Sequence, residues 1–173
     1  MKIGLFYGST TCYTEIAAEK IQAIIGDELV ELHNIEDIPL AQCLDYDFII
    51  FGISTWDYGE LQEDWESCWE EITALNLNNK IIAIYGMGDQ VGYSKWFQDA
   101  LGMLHEQVTA QGAQLIGYWP NQGYEFLASK ALTDDQKSFL GLSLDEENQY
   151  ELSDQRIEQW CEQILTEYSL ILF

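Results

Sequence analysis

Residues Gly8–Glu15 read GSTTCYTE and place four hydroxyls, on Ser9, Thr10, Thr11 and Thr14, within seven positions of one another. An apolar run, KIGLFY, precedes them, and a segment with helical periodicity follows. A strand, a turn and a helix start bring free backbone N–H groups and the positive end of a helix dipole to one point. That is chemistry for holding an oxyanion. The turn contains no Lys or Arg. The G-x-x-x-x-G-K-[ST] pattern is absent, and so is G-x-G-x-x-G. A triphosphate calls for Mg²⁺ and a lysine, whereas a terminal phosphate monoester can be held by neutral donors. The competing reading is that the hydroxyls only cap the helix.

Two further stretches supply flat and polar faces. In STWDYGELQEDW, Ser54–Trp65, Trp56 and Tyr58 offer aromatic rings. In GMGDQVGYS, Gly86–Ser94, three glycines permit tight turns and close backbone approach. There Asp89 can accept a ring N–H and Tyr93 adds a second flat face. Taken singly, Trp56 folds back on a core and Tyr93 packs on a surface. Taken together, a phosphate cradle, two aromatics and a Gly-rich turn suit a phosphorylated planar heterocycle, for which flavin mononucleotide (FMN) is the obvious candidate.

The elements needed to gather these loops are legible as periodicity. Lys2–Tyr7, Glu28–His33, Asp47–Ile53, Lys80–Gly86 and Ala113–Trp119 read as buried strands. Thr14–Ile25, Trp65–Ala74, Trp96–Gln111 and Ser153–Tyr168 read as helices. The first helix has Ile16, Ala17, Ile21, Ile24 and Ile25 on one face and Gly26 as its stop. The last has Ser153 as its cap, with Ile157, Trp160, Cys161, Ile164 and Leu165 facing inward. Continuous apolar strands alternating with helices predict a three-layer α/β/α fold around a five-stranded parallel sheet in the order 2-1-3-4-5. In such sheets ligands bind beyond the carboxyl ends of the strands, where all three loops would lie. Pro120–Asp154 is too long for an ordinary connection and includes SFLGLSL, a further strand candidate. It reads as an insertion that splits or extends strand five.

The 173 residues are expected to form one domain, 1–173. Thirty acids face seven bases, for a net charge of −23. That excludes nucleic acid and anionic membranes as natural partners and favours basic proteins. Four cysteines, with no C-x-x-C pair, argue against a metal or redox dithiol site. The start of the chain is too short in apolar residues for a signal peptide, and no apolar run reaches a membrane-spanning length. These features predict a cytoplasmic, monomeric protein with reduced thiols.

The motifs GSTTCYTE, TWDYGELQEDW and GDQVGYSKWFQDALG, in that order, resemble the flavodoxin family. The stretch from GYWPNQGYEF to DEENQYELSDQRIEQW resembles the inserted segment of its long-chain members. The resemblance spans nearly the whole chain and implies an FMN-binding, low-potential one-electron carrier rather than a catalyst. It implies that Ser9, Thr10, Thr11, Cys12, Tyr13 and Thr14 form the phosphate cradle, assisted by Thr55. It implies that Trp56 and Tyr93 stack on the two flavin faces. Ser54, Asp57, Tyr58 and Gly59 complete the first ring loop. Asp89 would bond the pyrimidine edge beside Gly88, and Asp145 would approach the ribityl chain. The implied partners are basic redox proteins, such as an NADPH-dependent flavodoxin reductase and electron-accepting enzymes. Glu60, Glu63, Asp64 and Glu66, with Asp145, Glu146 and Glu147, are expected on the docking rim. The chain departs from common family members at Cys12 (often Gly), Ser54 (often Pro) and Asp57 (often Asn). An FMN-dependent NAD(P)H:quinone reductase is the alternative on a similar fold. A response-regulator receiver is excluded, because the strand ends read FYGST and FGIST and lack its acidic residues.

Overall fold

The computed structural model describes all 173 residues, Met1–Phe173. Its central strands are the apolar runs. β1 (Ile3–Tyr7) lies between β2 (Val30–Asn34) and β3 (Phe48–Trp56), and all five of its residues are buried. A short β4 (Glu60–Leu61) turns back antiparallel on the end of β3. β5 (Ile81–Met87) pairs in parallel along β3, from Phe48 opposite Ile81 to Ser54 opposite Met87. β6 (Gln114–Ile116) follows on the far side of β5. The sheet order is therefore β2-β1-β3-β5-β6, the expected 2-1-3-4-5 in terms of the five major strand positions.

The fifth position is split. β6 pairs only with Ile81–Ala83, and β9 (Leu142–Leu144) pairs with Tyr85–Met87 on the same strand. The chain between them forms a separate antiparallel pair, β7 (Trp119–Pro120) with β8 (Ser138–Phe139). The expected single strand Ala113–Trp119 is thus two pieces belonging to different sheets. The backbone leaves the main sheet at Gly117, whose φ of 83° is unavailable to an extended strand.

Four helices cover the sheet: α1 (Tyr13–Ile25), α2 (Glu63–Ile72), α3 (Asp99–Ala110) and α4 (Glu146–Leu172). α1 and α4 pack on each other, while crossovers running the opposite way along the sheet carry α2 and α3 to its other face. On α1 the buried face is Thr14, Ala17, Ala18 and Ile21. Small alanines let the helix lie close to the sheet. Ile16 and Ile24, expected inside, are instead 43% and 45% exposed.

The helix starts differ from the sequence reading for local reasons. Gln62 caps α2 by accepting from the Asp64 and Trp65 N–H groups, which moves its start ahead of Trp65. Gln98 sits in the left-handed region at φ 62°, so α3 cannot begin at Trp96. Ser153 is not the cap of α4. Asp145 is, accepting from Asn148 N, and Ser153 lies buried inside the helix. α4 is kinked at Gln149 (φ −136°, ψ 35°), three residues after its start. Its inner face carries Ile157, Trp160, Cys161 and Ile164 as expected, while Leu165 is half-buried. No helix is long and apolar enough to cross a membrane.

Candidate functional site

The carboxyl ends of β1, β3 and β5 deliver the loops to one cleft of about 180 Å³. Its walls are Thr11, Tyr13 and Thr14 from the first loop, Ser54, Thr55, Trp56 and Asp57 from the second, and Gly88, Asp89 and Tyr93 from the third. Met87, Glu146 and Glu147 complete it. Ten of the sixteen residues singled out from the sequence therefore meet here. Ser9, Thr10 and Cys12 belong to the same turn without lining the cleft, and Tyr58 and Gly59 lie on the adjoining hairpin turn. Asp145 is set apart: it is fully buried.

The first loop is a nest of donors. No backbone N–H from Ser9 through Glu15 donates to any protein group, whereas Gly8 N pairs with Gly52 O and Ile16 N with Cys12 O. Such groups must be satisfied by a ligand or by water. The side chains do not cap the helix instead. Cys12 occupies the N-cap position and makes no side-chain capping bond. Ser9 Oγ is buried without a partner. Thr10 Oγ1 accepts from Gln62 Nε2 at 3.0 Å, which ties the turn to the capped start of α2. Cys12 stands at φ 70°, ψ −7°, a left-handed conformation that costs a non-glycine residue about 1–2 kcal/mol. Cys12 is exposed, while Cys43, Cys68 and Cys161 are buried, and none is paired.

The second loop is more strand than loop. Trp56 is the last residue of β3, held opposite Glu60, with Thr55 opposite Leu61. Its indole Nε1 donates to Ser54 Oγ at 3.0 Å, which fixes the ring with a hydroxyl where proline could supply none. Asp57 (φ 43°) and Gly59 (φ 83°) take the positive-φ positions of the turn. Exposed Tyr58 packs edge-on against Trp96 and Tyr93, with ring centroids 5.0 and 6.3 Å away. Behind the turn, Ala100 N donates to Thr55 Oγ1 at 3.0 Å. Asp99 is buried there and accepts from Lys130 N at 2.8 Å. Burial raises its carboxyl above the usual aspartate value, against the lowering effect of that bond and of the Lys130 charge.

Asp89 spends Oδ1 on its own loop and on α4, accepting from Val91 N, Gly92 N and, from α4, Asn148 Nδ2 at 3.1, 2.7 and 2.8 Å. Oδ2 lies 2.4 Å from where a Cβ on residue 92 would stand, so a side chain there would displace the Asp89 carboxylate. The buried carboxylate of Asp145 gathers Gln90 N, Gln90 Nε2, Asn148 N and Asn148 Nδ2. Gln90 Oε1 in turn accepts Glu125 N from the insertion. Asp145 therefore anchors the third loop to α4 and to the insertion from behind the cleft, and its side chain is not a cleft wall. The sequence reading missed Met87, Gln62 and Gln90. Only Gln62 had a local signal, a polar residue just before an acidic helix start.

The cleft combines neutral hydrogen-bond donors, three aromatic rings, Tyr13, Trp56 and Tyr93, and four carboxylate residues, Asp57, Asp89, Glu146 and Glu147, with no basic residue in its lining. A family model described as Flavodoxin matches residues 5–160. Flavodoxin 2 of Salmonella typhi is 59% identical over 167 residues, covering 96% of each chain. Flavodoxin 2 of Escherichia coli K12 is 58% identical over the same shares. The flavodoxin of Nostoc sp. PCC 7120 is 44% identical over 169 residues, 98% of each chain. The solved structure of Fusobacterium nucleatum flavodoxin bound to flavin mononucleotide superposes with a TM-score of 0.90 at 23% identity, covering 96% of this chain and 98% of that one. With the fold, the three loops and these likenesses in agreement, the chain belongs to the flavodoxin family.

Proposed function

We propose that residues 1–173 act as one FMN-binding unit that carries electrons one at a time between redox enzymes. The observation that carries this reading is the run of unpartnered N–H groups from Ser9 to Glu15, beside a cleft walled by Trp56 and Tyr93. The donor set fits FMN. Neutral N–H and hydroxyl groups suit a phosphate monoester, and the aromatic walls suit a flat ring system. When bound, FMN supplies the one-electron chemistry; the chain holds it, shields it and sets its electrostatic surroundings. Thr11 and Thr14 join the backbone N–H groups in holding the phosphate, with Tyr13 at its side. Ser54 and Thr55 position the Trp56 wall, Asp57 and Gly88 present backbone to the ring edge, and Asp89 offers a carboxylate to a ring N–H.

The acids around the opening define the partner chemistry. Glu146 and Glu147 line the cleft, and Glu63, Asp64 and Glu66 start α2 next to it. A basic partner, of which an NADPH-dependent flavodoxin reductase is the natural example, is drawn to this rim by long-range attraction. The composition supports a cytoplasmic monomer in that role. The deciding experiment is isolation of the protein followed by anaerobic redox titration monitored by absorbance. One FMN per chain, reduced in two separated one-electron steps and with no NAD(P)H oxidation by the protein alone, is the expected result. Steady NAD(P)H oxidation without a reductase would make it a quinone reductase-like enzyme instead, and a colourless protein that takes up no FMN would refute the proposal.

A further inference from the structure

The chain has one arginine, Arg156, and thirty acids, yet no carboxylate lies within ion-pair distance of that arginine. It is 8% exposed. A buried cation is normally matched by an anion, because removing it from water is costly. Here the guanidinium lies over the Tyr124 ring, 4.3 Å from its centroid, and its Nη1 donates to Gln149 Oε1 at 2.8 Å. Gln149 is the residue at which α4 breaks, and its Nε2 is committed to Gly123 O. That contact uses one edge of the guanidinium. Nε–H and Nη2–H, the parallel pair on the other edge, meet no protein acceptor. This fork is the one a carboxylate takes with two parallel hydrogen bonds.

Arg156 lines a second cavity, of about 440 Å³, between α4 and the insertion. No residue of the cleft described above takes part in it. Trp119 and Leu152 give it an apolar side. Gln122, Gln155 and Gln159 also line it, and their side-chain amides make no hydrogen bond to the protein. The net charge of −23 opposes any highly charged anion here, but a single negative charge facing a guanidinium is tolerated once salt screens the longer-range field.

We propose that this cavity is a binding site for a small organic monocarboxylate, held bidentately by Arg156, with its apolar body against Trp119 and Leu152 and its polar substituents met by the glutamine amides. It is separate from the flavin cleft and does not depend on the electron-carrier reading. The single arginine makes the test direct, since the Nε–Hε signal of Arg156 is unique in a ¹H–¹⁵N spectrum. FMN-loaded, ¹⁵N-labelled protein is titrated with sodium benzoate at constant ionic strength, and with benzamide as the neutral isostere. The expected result is a saturable shift of Arg156 Nε–Hε and of the Gln122 and Gln159 amides with benzoate, and none with benzamide. Arg156→Lys keeps the charge but loses the fork, and is expected to weaken benzoate by about tenfold or more. Absence of a saturable shift up to about 20 mM benzoate, equal shifts with benzamide, or unchanged affinity in Arg156→Lys would each overturn the proposal. The wild-type titration decides it even if the variant fails to fold.

Discussion

The proposed phosphate cradle makes the sharpest demand on experiment, because neutral donors must do what basic residues do elsewhere. Thr11 and Thr14 both line the cleft, and neither hydroxyl is engaged with the protein, so replacing both by Val breaks no internal hydrogen bond. Thr10 differs, since Thr10→Val would break its bond to Gln62 and disturb the start of α2. A hydrogen bond to a charged group contributes about 1.5–3 kcal/mol. Two neighbouring bonds to one phosphate are coupled, so the pair is expected to contribute less than twice that. A loss of about 3 kcal/mol corresponds to FMN binding weakened by roughly 150-fold. Riboflavin presents the same ring without the phosphate, and its affinity should move by no more than about twofold. Apoprotein is titrated with each flavin while quenching of flavin fluorescence is followed. Because the cleft carries four carboxylate residues and no base, raising ionic strength should also tighten FMN more than riboflavin. Equal losses for both flavins in Thr11→Val/Thr14→Val would place the phosphate elsewhere and refute the reasoning.

Three further outcomes follow from the same geometry. A carboxylate about 10 Å from the flavin, at an effective dielectric of about 20, disfavours an added negative charge by roughly 1.7 kcal/mol, or about 70 mV. Glu60, Glu63 and Glu66 are exposed, so changing each to Gln should raise the second midpoint potential by less than this, and the rise should shrink with salt in a potentiometric titration. Cys12→Gly removes left-handed strain of about 1–2 kcal/mol but adds flexibility to the unfolded chain, for a net gain of about 0.5 kcal/mol in apoprotein urea unfolding. Asp99 binds its proton more tightly folded than unfolded, so its contribution to stability falls as pH rises from the ordinary aspartate value of 3.8 through its raised folded value. Asp99→Asn keeps an acceptor for Lys130 N and loses that dependence. Its stability relative to the parent should increase with pH across that window, as measured by urea unfolding at several pH values.

What the sequence revealed and what it hid divide along sequence distance. The donor turn is contiguous, Ser9 to Thr14, and its helix follows at once, so residue types alone announced a cluster of donors at a helix start. The split of strand five was also legible, because an over-long connection carrying SFLGLSL had to go somewhere, and β9 fills the vacant half of the edge beside β5. Trp56 was harder to place. Its position in β3 rather than in a free loop depends on antiparallel pairing with Glu60, and a hairpin closed by Asp57 and Gly59 carries only a weak turn signature. Ile16 and Ile24 misled for a different reason. Hydrophobic periodicity cannot tell a helix face that meets the sheet from one beside it, and close contact selected Ala17 and Ala18. Asp145 was beyond reach altogether. A fully buried carboxylate looks like a surface acid until Gln90, fifty-five residues away, is seen to donate to it twice. That separation has a mechanical meaning. The donor turn is built from contiguous residues and is tied to the rest of the fold by Gln62 Nε2 donating to Thr10 Oγ1 and Tyr85 Oη donating to Thr14 O. The third loop, with Asp89 and Tyr93, is set by a buried network reaching to α4 and the insertion. Substitutions at Asp145 or Gln90 should therefore disturb the third-loop side of the cleft, proposed to hold the ring, while leaving the donor turn as it is.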